Sequence, residues 1–234
     1  MMNRNLRQKS FNNIFLLILH RFKKRVLNLL KYKIIIAGAK DVGKSSLIAR
    51  FCDNIFKEDL KATIGVDFKR KSITLKGAHK DISLDLNIWD FAGEEKYRTL
   101  FPAYAHGASA AFILFDTTRR ETLKDIDNWV EIIDSNAHPN IVKQIIATKI
   151  DLKSKRKVSK SDAEDFFKKY DWCTEITSTS SKTGENVEDA FILVVKKIIK
   201  NNLQICKSCG ELFNKKLKNC QYCGEKVENE ISPL

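Results

Sequence analysis

One loop constrains the fold of this chain more than any other stretch of the sequence. Residues 34–47 read IIIAGAKDVGKSSL, an apolar run followed by a glycine-containing loop and then a helical pattern. This is the phosphate-binding pattern in its required context of strand and helix. Gly38 and Gly43 allow the backbone to curl so that successive N–H groups point inward. Lys44 supplies a charge for terminal phosphates and Ser45 a hydroxyl for Mg²⁺, which favours this interpretation over a plain glycine turn.

The net charge of +13 on the 234 residues is unevenly distributed. Residues 1–33 carry +9, residues 34–195 are neutral, and residues 196–234 carry +4. A neutral body with basic ends predicts that anionic partners bind at the ends. The longest apolar run near the start, 14–19, is too short to cross a bilayer and lacks a cleavage site, so we expect a cytoplasmic protein.

Residues 1–31 form a predicted basic amphipathic segment. Over 10–31, apolar side chains recur at three- and four-residue steps, with lysines and asparagines on the opposite side. A basic helix of this kind suits the surface of an anionic membrane. A leader helix packed on the domain, or a helix that binds a protein partner, explains the same pattern.

From Tyr32 the pattern alternates between strands and helices, which predicts a mostly parallel sheet covered on both faces. The predicted strands are 32–37, 66–76, 82–90, 110–115, 141–148 and 173–178, the predicted helices are 44–51, 121–136, 160–170 and 186–202, and a short mobile helix is expected over 94–105. Ligands of such sheets bind at the carboxyl ends of the strands.

Three short motifs follow predicted strand ends. Asp90 is suited to holding Mg²⁺ through water, and Gly93 exposes a backbone N–H to a γ-phosphate. The carboxylate of Asp151 in TKID is able to accept two hydrogen bonds from guanine, a pair that adenine does not offer. Residues 180–182, SSK, offer backbone N–H groups to a purine carbonyl. Each motif alone is weak, but their order and placement together point to a guanine nucleotide.

These motifs resemble those of the Ras-like small GTPases, and among them the Rab family, over about 32–200. The resemblance is carried by GAKDVGKS, KATIGVDFK, WDFAGEE, TKID and TSSKTGENV. It implies an α/β P-loop G domain over 32–203 with a six-stranded sheet. It also implies GTP or GDP as ligand, Mg²⁺ held through Ser45, Thr63 and Asp90, and the usual exchange factor, GTPase-activating protein and effectors as partners.

The family roles transfer onto matching positions of this sequence. Thr63 is the first switch, Asp90 and Gly93 begin the second, Lys149 packs along the base, and Phe56 stacks on guanine unless it only anchors its loop. The nucleotide-binding residues implied by the resemblance are Lys40, Asp41, Val42, Gly43, Lys44, Ser45, Ser46, Phe56, Thr63, Gly93, Thr148, Lys149, Asp151, Ser180, Ser181 and Lys182.

The sequence departs from the family pattern at several positions. Thr148 replaces an asparagine and Ser181 an alanine, both minor changes. Glu94 stands where the family has the glutamine that orients the attacking water. Because Lys40 is also unusual in the phosphate loop, we expect Lys40 and Glu94 to compensate each other across the γ-phosphate, with Glu94, Lys44 and Lys40 as the catalytic residues. The alternative is that both side chains point to solvent and hydrolysis is slow.

The tail contains two C-x-x-C-G knuckles. Cys206, Cys209, Cys220 and Cys223 have the spacing of a structural Zn²⁺ site, and residues 204–228 resemble the zinc ribbons appended to prokaryotic proteins. Such a module is too small to fold without metal. A redox dithiol pair or an iron site is the alternative. The ribbon's partner is left open between protein and, less favoured, nucleic acid, and residues 229–234 form a short tail.

The sequence therefore predicts a Rab-like, Mg²⁺-dependent GTPase switch. No prenylation motif ends the sequence, so we expect any peripheral membrane attachment to depend on the N-terminal helix. The alternative functions are a hydrolysis-poor scaffold that recruits partners through its ribbon, and an ATP-using P-loop enzyme, which Asp151 disfavours.

Overall fold

The structure, a computed structural model, describes residues 30–58, 63–76 and 81–226. The predicted helix over 10–31 lies outside these residues except for its last two positions. These two belong to the first strand, which begins at Leu30 because Leu30 and Lys31 pair with Leu84 and Asp85 of a neighbouring strand. The prediction of helix was therefore wrong at these two residues.

Six strands form one sheet, as predicted. Its order is β2-β3-β1-β4-β5-β6, with β2 antiparallel to β3 and every other pair parallel. The strands are β1 Leu30–Gly38, β2 Val66–Leu75, β3 Ile82–Phe91, β4 Ala110–Asp116, β5 Val142–Thr148 and β6 Ile176–Ser178. The strand predicted over 173–178 is shorter because a turn at 171–172 precedes it, in which Cys173 N–H donates to the Tyr170 carbonyl.

Helices cover both faces of the sheet. They are α1 Lys44–Asp53, α2 Phe101–Ala105, α3 Arg120–Lys124, α4 Ile126–Asn136, α5 Lys160–Phe167 and α6 Val187–Asn202, with short 3₁₀ helices at Glu95–Leu100 and Lys153–Lys155. The predicted helix 121–136 is divided at Asp125, whose carboxylate accepts hydrogen bonds from Trp129 and Arg98. The segment predicted over 94–105 is a 3₁₀ helix followed by α2.

Alternation along the strands produces two apolar cores. In β1, Ile34 and Ile36 face the core under α1 and α6, whereas Ile35 faces the core under α4 and α5. All three side chains are fully buried. Phe51 of α1 stacks on Phe191 of α6 with ring centroids 3.8 Å apart, which locks these two helices together.

The ribbon follows α6 without a linker. Strand β7, Leu203–Ile205, pairs with β8, Leu212–Asn214, in an antiparallel hairpin. Leu203 and Leu212 pack against the core under α1 and α6, and Lys215 N–H donates to the Asn202 carbonyl at 3.0 Å. The boundary predicted at 203/204 therefore lies one residue earlier, and the ribbon is packed on the domain. Residues 227–234 lie outside the described chain.

Candidate functional site

The phosphate loop joins β1 to α1 at the carboxyl edge of the sheet. Gly38 has φ +143°, and a Cβ there would lie 2.6 Å from the Leu114 carbonyl oxygen, so glycine is required. The Lys44 ammonium donates to the carbonyls of Gly38 and Ala39, each at 2.8 Å, and thereby spans the loop. Burial lowers the pKa of Lys44 to about 8, although Asp90 partly opposes the shift. The loop is thus preformed around a buried cation.

Side chains from the following strands brace this loop. Thr148 Oγ1 lies 2.7 Å from the Val42 carbonyl and 2.9 Å from the Phe115 carbonyl, which ties the loop to β4. Lys149 Nζ donates to the Asp41 carbonyl at 2.7 Å. The Val42 side chain is fully buried in the core, so only its backbone is available to a ligand. Thr148 therefore positions the loop through backbone contacts.

Three oxygen-bearing side chains converge at the start of α1. Ser45 Oγ lies 2.8 Å from Thr63 Oγ1. Both hydroxyls donate to Asp90 Oδ2: the Thr63 hydroxyl lies 3.2 Å away, and the Ser45 hydroxyl is closer. Asp90 Oδ1 is buried and, among the described residues, has no hydrogen-bond partner. Burial raises the pKa of Asp90, partly offset by Ser45 and Lys44. Hard oxygen donors with one unsatisfied buried carboxylate oxygen fit Mg²⁺ held directly and through water.

The predicted base-recognition residues meet at the ends of β5 and β6. Ser180 Oγ donates to Asp151 Oδ1 at 2.6 Å, which fixes the carboxylate. Ser180 itself is fully buried, and its side chain reaches the cavity only through this contact with Asp151. Arg50 Nε donates to the Ser181 carbonyl at 2.7 Å, and its Nη2 donates to the Lys182 carbonyl at 2.9 Å. Helix α1 therefore holds the SSK segment in place.

The structure brings Lys40 and Glu94 into contact. Lys40 Nζ lies 3.0 Å from Glu94 Oε1, and Lys96 Nζ lies 2.9 Å from Glu94 Oε2. Hydrogen bonds from Lys96 and Lys40 lower the pKa of Glu94, so the group is a carboxylate at neutral pH. The ion pair joins the phosphate loop to the segment after β3, although both side chains remain partly exposed. The contact is consistent with the compensation hypothesis, and the effect of the pair on hydrolysis stays a prediction.

Gly93 lies directly against the phosphate loop. A Cβ added there would be 2.4 Å from the backbone carbon of Ala39 and 2.5 Å from the Lys40 nitrogen. No side chain fits in this space without a backbone shift. The segment after β3 can therefore approach the loop only because residue 93 is glycine.

These residues enclose one cavity of about 440 Å³. Every predicted nucleotide-binding residue lines it except Val42 and Ser180, whose contributions are described above. It is also lined by Lys57, Glu58, Phe91, Ala92, Glu94 and Leu152. Phe56 and Asp151 both line the cavity, so an aromatic ring and a carboxylate share this space with the phosphate loop.

Two residues that brace the site were missed from the sequence. Asp116 ends β4, is fully buried, and forms an ion pair with Lys149 at 2.7 Å. Burial alone raises the pKa of Asp116, but hydrogen bonds from Lys149 and Thr118 outweigh it and lower the pKa. Its position at a strand end was a usable signal. Arg119 donates to the Lys40 carbonyl at 2.7 Å, a contact across 79 positions that no local pattern indicates.

The four tail cysteines form a second site. Their sulfur atoms all lie within 4.8 Å of one another, with Cys206–Cys223 at 3.6 Å and Cys209–Cys220 at 3.7 Å. Sulfurs at the corners of a tetrahedron with Zn–S bonds of about 2.3 Å are about 3.8 Å apart, so the cluster has the dimensions of a Zn²⁺ site. None of the four is in a disulfide. The geometry fits the structural metal that the sequence predicts.

The described part of the chain contains no helix that is both long and apolar enough to cross a membrane.

The model of the Ras family matches residues 33–200. Ras-related protein Rab11D of Nicotiana tabacum is 39% identical over 167 residues, covering 71% of this chain and 72% of the relative. Ras-related protein Rab-18-B of Danio rerio is 39% identical over 168 residues, covering 71% and 78%. Ras-related protein RABA1b of Arabidopsis thaliana is 33% identical over 205 residues, covering 87% and 90%.

Proposed function

This chain belongs to the Ras family of small GTPases, and we propose that it is a Rab-like switch that binds GTP with Mg²⁺ and hydrolyses it to GDP. The observation that carries the proposal is the single cavity shared by the phosphate loop, the hydroxyls of Ser45 and Thr63, and Asp151. A phosphate cradle alone fits any nucleotide, whereas the added carboxylate discriminates the base.

The residues around the cavity have distinct roles in this proposal. Lys44 and the loop N–H groups neutralise the β- and γ-phosphates. Ser45, Thr63 and Asp90 would hold Mg²⁺, which when bound would supply positive charge beside the phosphates. Thr63 lies just before β2 and Gly93 just after β3, so loss of the γ-phosphate releases two segments at once. This is the order–disorder change of a nucleotide switch.

In this proposal, Glu94 makes the hydrolysis of GTP slow, and Lys40 partly restores the rate. A carboxylate accepts a hydrogen bond from the attacking water but, unlike an amide, donates none to the transition state. It also adds negative charge beside the phosphates. Lys40 lies 3.0 Å from Glu94 and lines the same cavity, so its ammonium neutralises the carboxylate and supplies positive charge in cis.

Partners of the switch are proposed to bind beside these segments. Of the described large apolar side chains, Ile64, Phe68 and Leu100 are exposed at 82%, 46% and 42%. All three lie within a few residues of Thr63 or Glu94 in the sequence. An apolar surface that changes with the γ-phosphate suits an effector that distinguishes the two nucleotide states.

The second candidate function is a hydrolysis-poor scaffold that recruits partners through the ribbon. It is favoured by the ion pairs of Glu94 with Lys40 and Lys96, because a carboxylate engaged by two lysines is less available to orient the attacking water as the missing glutamine would.

We also propose that residues 1–29 attach the protein to anionic membranes, since they carry seven basic and no acidic residues.

Two measurements test the proposal. The first determines the nucleotide that copurifies with the zinc-loaded chain, and its affinity for GTP, GDP and ATP by calorimetry. The second follows the release of phosphate from GTP in a single turnover, with Lys44→Ala as the variant that should lose binding. A preference for guanine together with measurable turnover supports the switch, guanine binding without turnover supports the scaffold, and equal affinity for ATP contradicts both.

A further inference from the structure

Both ends of the domain meet at the edge of the sheet opposite the nucleotide cavity. Because β1 begins at Leu30 and its carboxyl end carries the phosphate loop, the chain enters the domain at the amino edge of the sheet. Helix α6 runs back from the carboxyl edge after β6 and ends at Asn202. The ribbon starts at Leu203 and is therefore held at the same edge as the start of β1, and Leu30 and Leu203 pack against the same core.

The ribbon adds positive charge to this edge. Residues 203–226 contain five lysines and two glutamates, a net charge of +3. Lys215 N–H donates to the Asn202 carbonyl, so Lys216 and Lys218 follow within a few residues of the end of α6. Lys200, in the last turn of α6, is exposed as well. Within the part of the chain that the structure describes, the ion pairs include none of Lys200, Lys216 and Lys218.

Apolar side chains accompany these charges. Of the six exposed large apolar residues in the described chain, Ile55 lies just after α1, three lie near the switch segments and two lie on the ribbon. The ribbon group is Leu217, exposed at 40%, and Tyr222, exposed at 39%. Leu217 lies between Lys216 and Lys218 in the sequence, and all three side chains are exposed.

We propose that the ribbon docks on an anionic lipid bilayer through the ribbon basic surface, which we define as Lys200, Lys216, Leu217 and Lys218. Lysines attract anionic headgroups, and Leu217 enters the boundary of the acyl region. A nucleic acid attracts the same lysines but offers no apolar phase to Leu217. The chain enters the domain at this edge with Leu30, so the seven basic residues of 1–29 are proposed to bind the same bilayer. The nucleotide cavity and both switch segments then face away from it.

The test uses the zinc-loaded full chain and vesicles of phosphatidylcholine with roughly one third phosphatidylserine, compared with phosphatidylcholine alone. Each lysine near such a surface changes affinity by about fivefold, so K216A/K218A should weaken binding about thirtyfold. The matched control is K153A/K155A. It removes two exposed lysines at the same spacing, in the 3₁₀ helix that follows the carboxyl end of β5, on the opposite edge. The control should bind like the unchanged protein.

The outcomes separate this inference from the proposed function on which it rests. Zinc content and guanine-nucleotide affinity are measured for each variant to show that the ribbon and cavity are intact. If K216A/K218A binds vesicles like the unchanged protein while deletion of 1–29 abolishes binding, the ribbon inference fails and the N-terminal attachment stands. Three other results would also overturn the ribbon inference. Both double variants could weaken vesicle binding equally, or vesicle binding could be independent of phosphatidylserine. The third is that K216A/K218A loses affinity for a DNA or RNA oligonucleotide but not for vesicles. None of these results affects the assignment of GTP hydrolysis.

Discussion

The contact between Lys40 and Glu94 allows a quantitative test of how this GTPase works without the usual glutamine. The perturbation is a double-mutant cycle of Lys40→Ala and Glu94→Gln, read as single-turnover hydrolysis of GTP. In the unchanged protein, removal of Lys40 leaves a carboxylate beside the phosphates with only Lys96 as a partner. In the Glu94→Gln protein, the same removal leaves a neutral amide. The loss of Lys40 should therefore slow hydrolysis more when Glu94 is present.

The exposure of the two side chains sets the size of this difference. They are 54% and 29% exposed, so water screens the pair. Exposed pairs of this kind couple weakly. The factor by which Lys40→Ala slows hydrolysis should therefore be about two- to fivefold larger when residue 94 is glutamate than when it is glutamine. Glu94→Gln alone should accelerate hydrolysis, because an amide both accepts a hydrogen bond from water and donates one to the transition state.

Lys96→Ala is the matched control. It removes the other cation held by Glu94, at 2.9 Å, without touching the phosphate loop, and Lys96 does not line the cavity. Its loss should change hydrolysis less than the loss of Lys40. GTP affinity is measured for each variant so that weak binding is not mistaken for slow chemistry. Strictly multiplicative effects of Lys40→Ala and Glu94→Gln would refute the pairing.

Four further predictions follow from the geometry of the two sites. Asp151→Ala should reduce the preference for GTP over ATP by about 10- to 100-fold in calorimetry. Ser180→Ala should reduce that preference by about fivefold, because Ser180 fixes the Asp151 carboxylate at 2.6 Å. An unchanged preference would contradict the proposed base-recognition site. Gly93→Ala should lower the stability of the protein by about 1–3 kcal/mol in denaturant unfolding, since its Cβ would lie 2.4 Å from the phosphate-loop backbone. Burial lowers the pKa of Lys44 to about 8, and bound phosphate favours the charged form of Lys44. The affinity for GDP should therefore fall above pH 8 by at most about tenfold per pH unit. In Lys44→Arg, where the side chain stays charged, the affinity should depend less steeply on pH. Chelation of Zn²⁺, or Cys209→Ser, should increase hydrogen exchange throughout 203–226 and leave guanine binding unchanged, and a protected ribbon without metal would argue against a structural site.

Local sequence patterns predicted most of the architecture. The loop at 38–45, the alternating strands and the four cysteines are each defined by spacing over a few residues, which is why they were visible without a structure. Most of the errors lie at element ends, apart from the helix predicted over 121–136, which is divided at Asp125. Leu30 and Lys31 continue β1 because they pair with β3, and the strand predicted from 173 begins at Ile176 because turns precede it. Pairing and turns between distant segments decide such boundaries, and periodicity does not report them.

The sequence by itself determined which chemical groups this protein can bring to its sites: a phosphate-loop pattern, a carboxylate in TKID, hydroxyl and carboxylate oxygens suited to Mg²⁺, and four cysteines at a metal-site spacing. The tertiary structure decided which groups act together. Lys40 contacts Glu94 across 54 positions, Arg50 holds the backbone of Ser181 across 131, and Thr148 braces the phosphate loop across 106. It also placed the ribbon and the start of β1 at the edge away from the cavity. Residue types and short spacings are written in the chain, whereas contacts over such separations exist only after the strands and helices have packed.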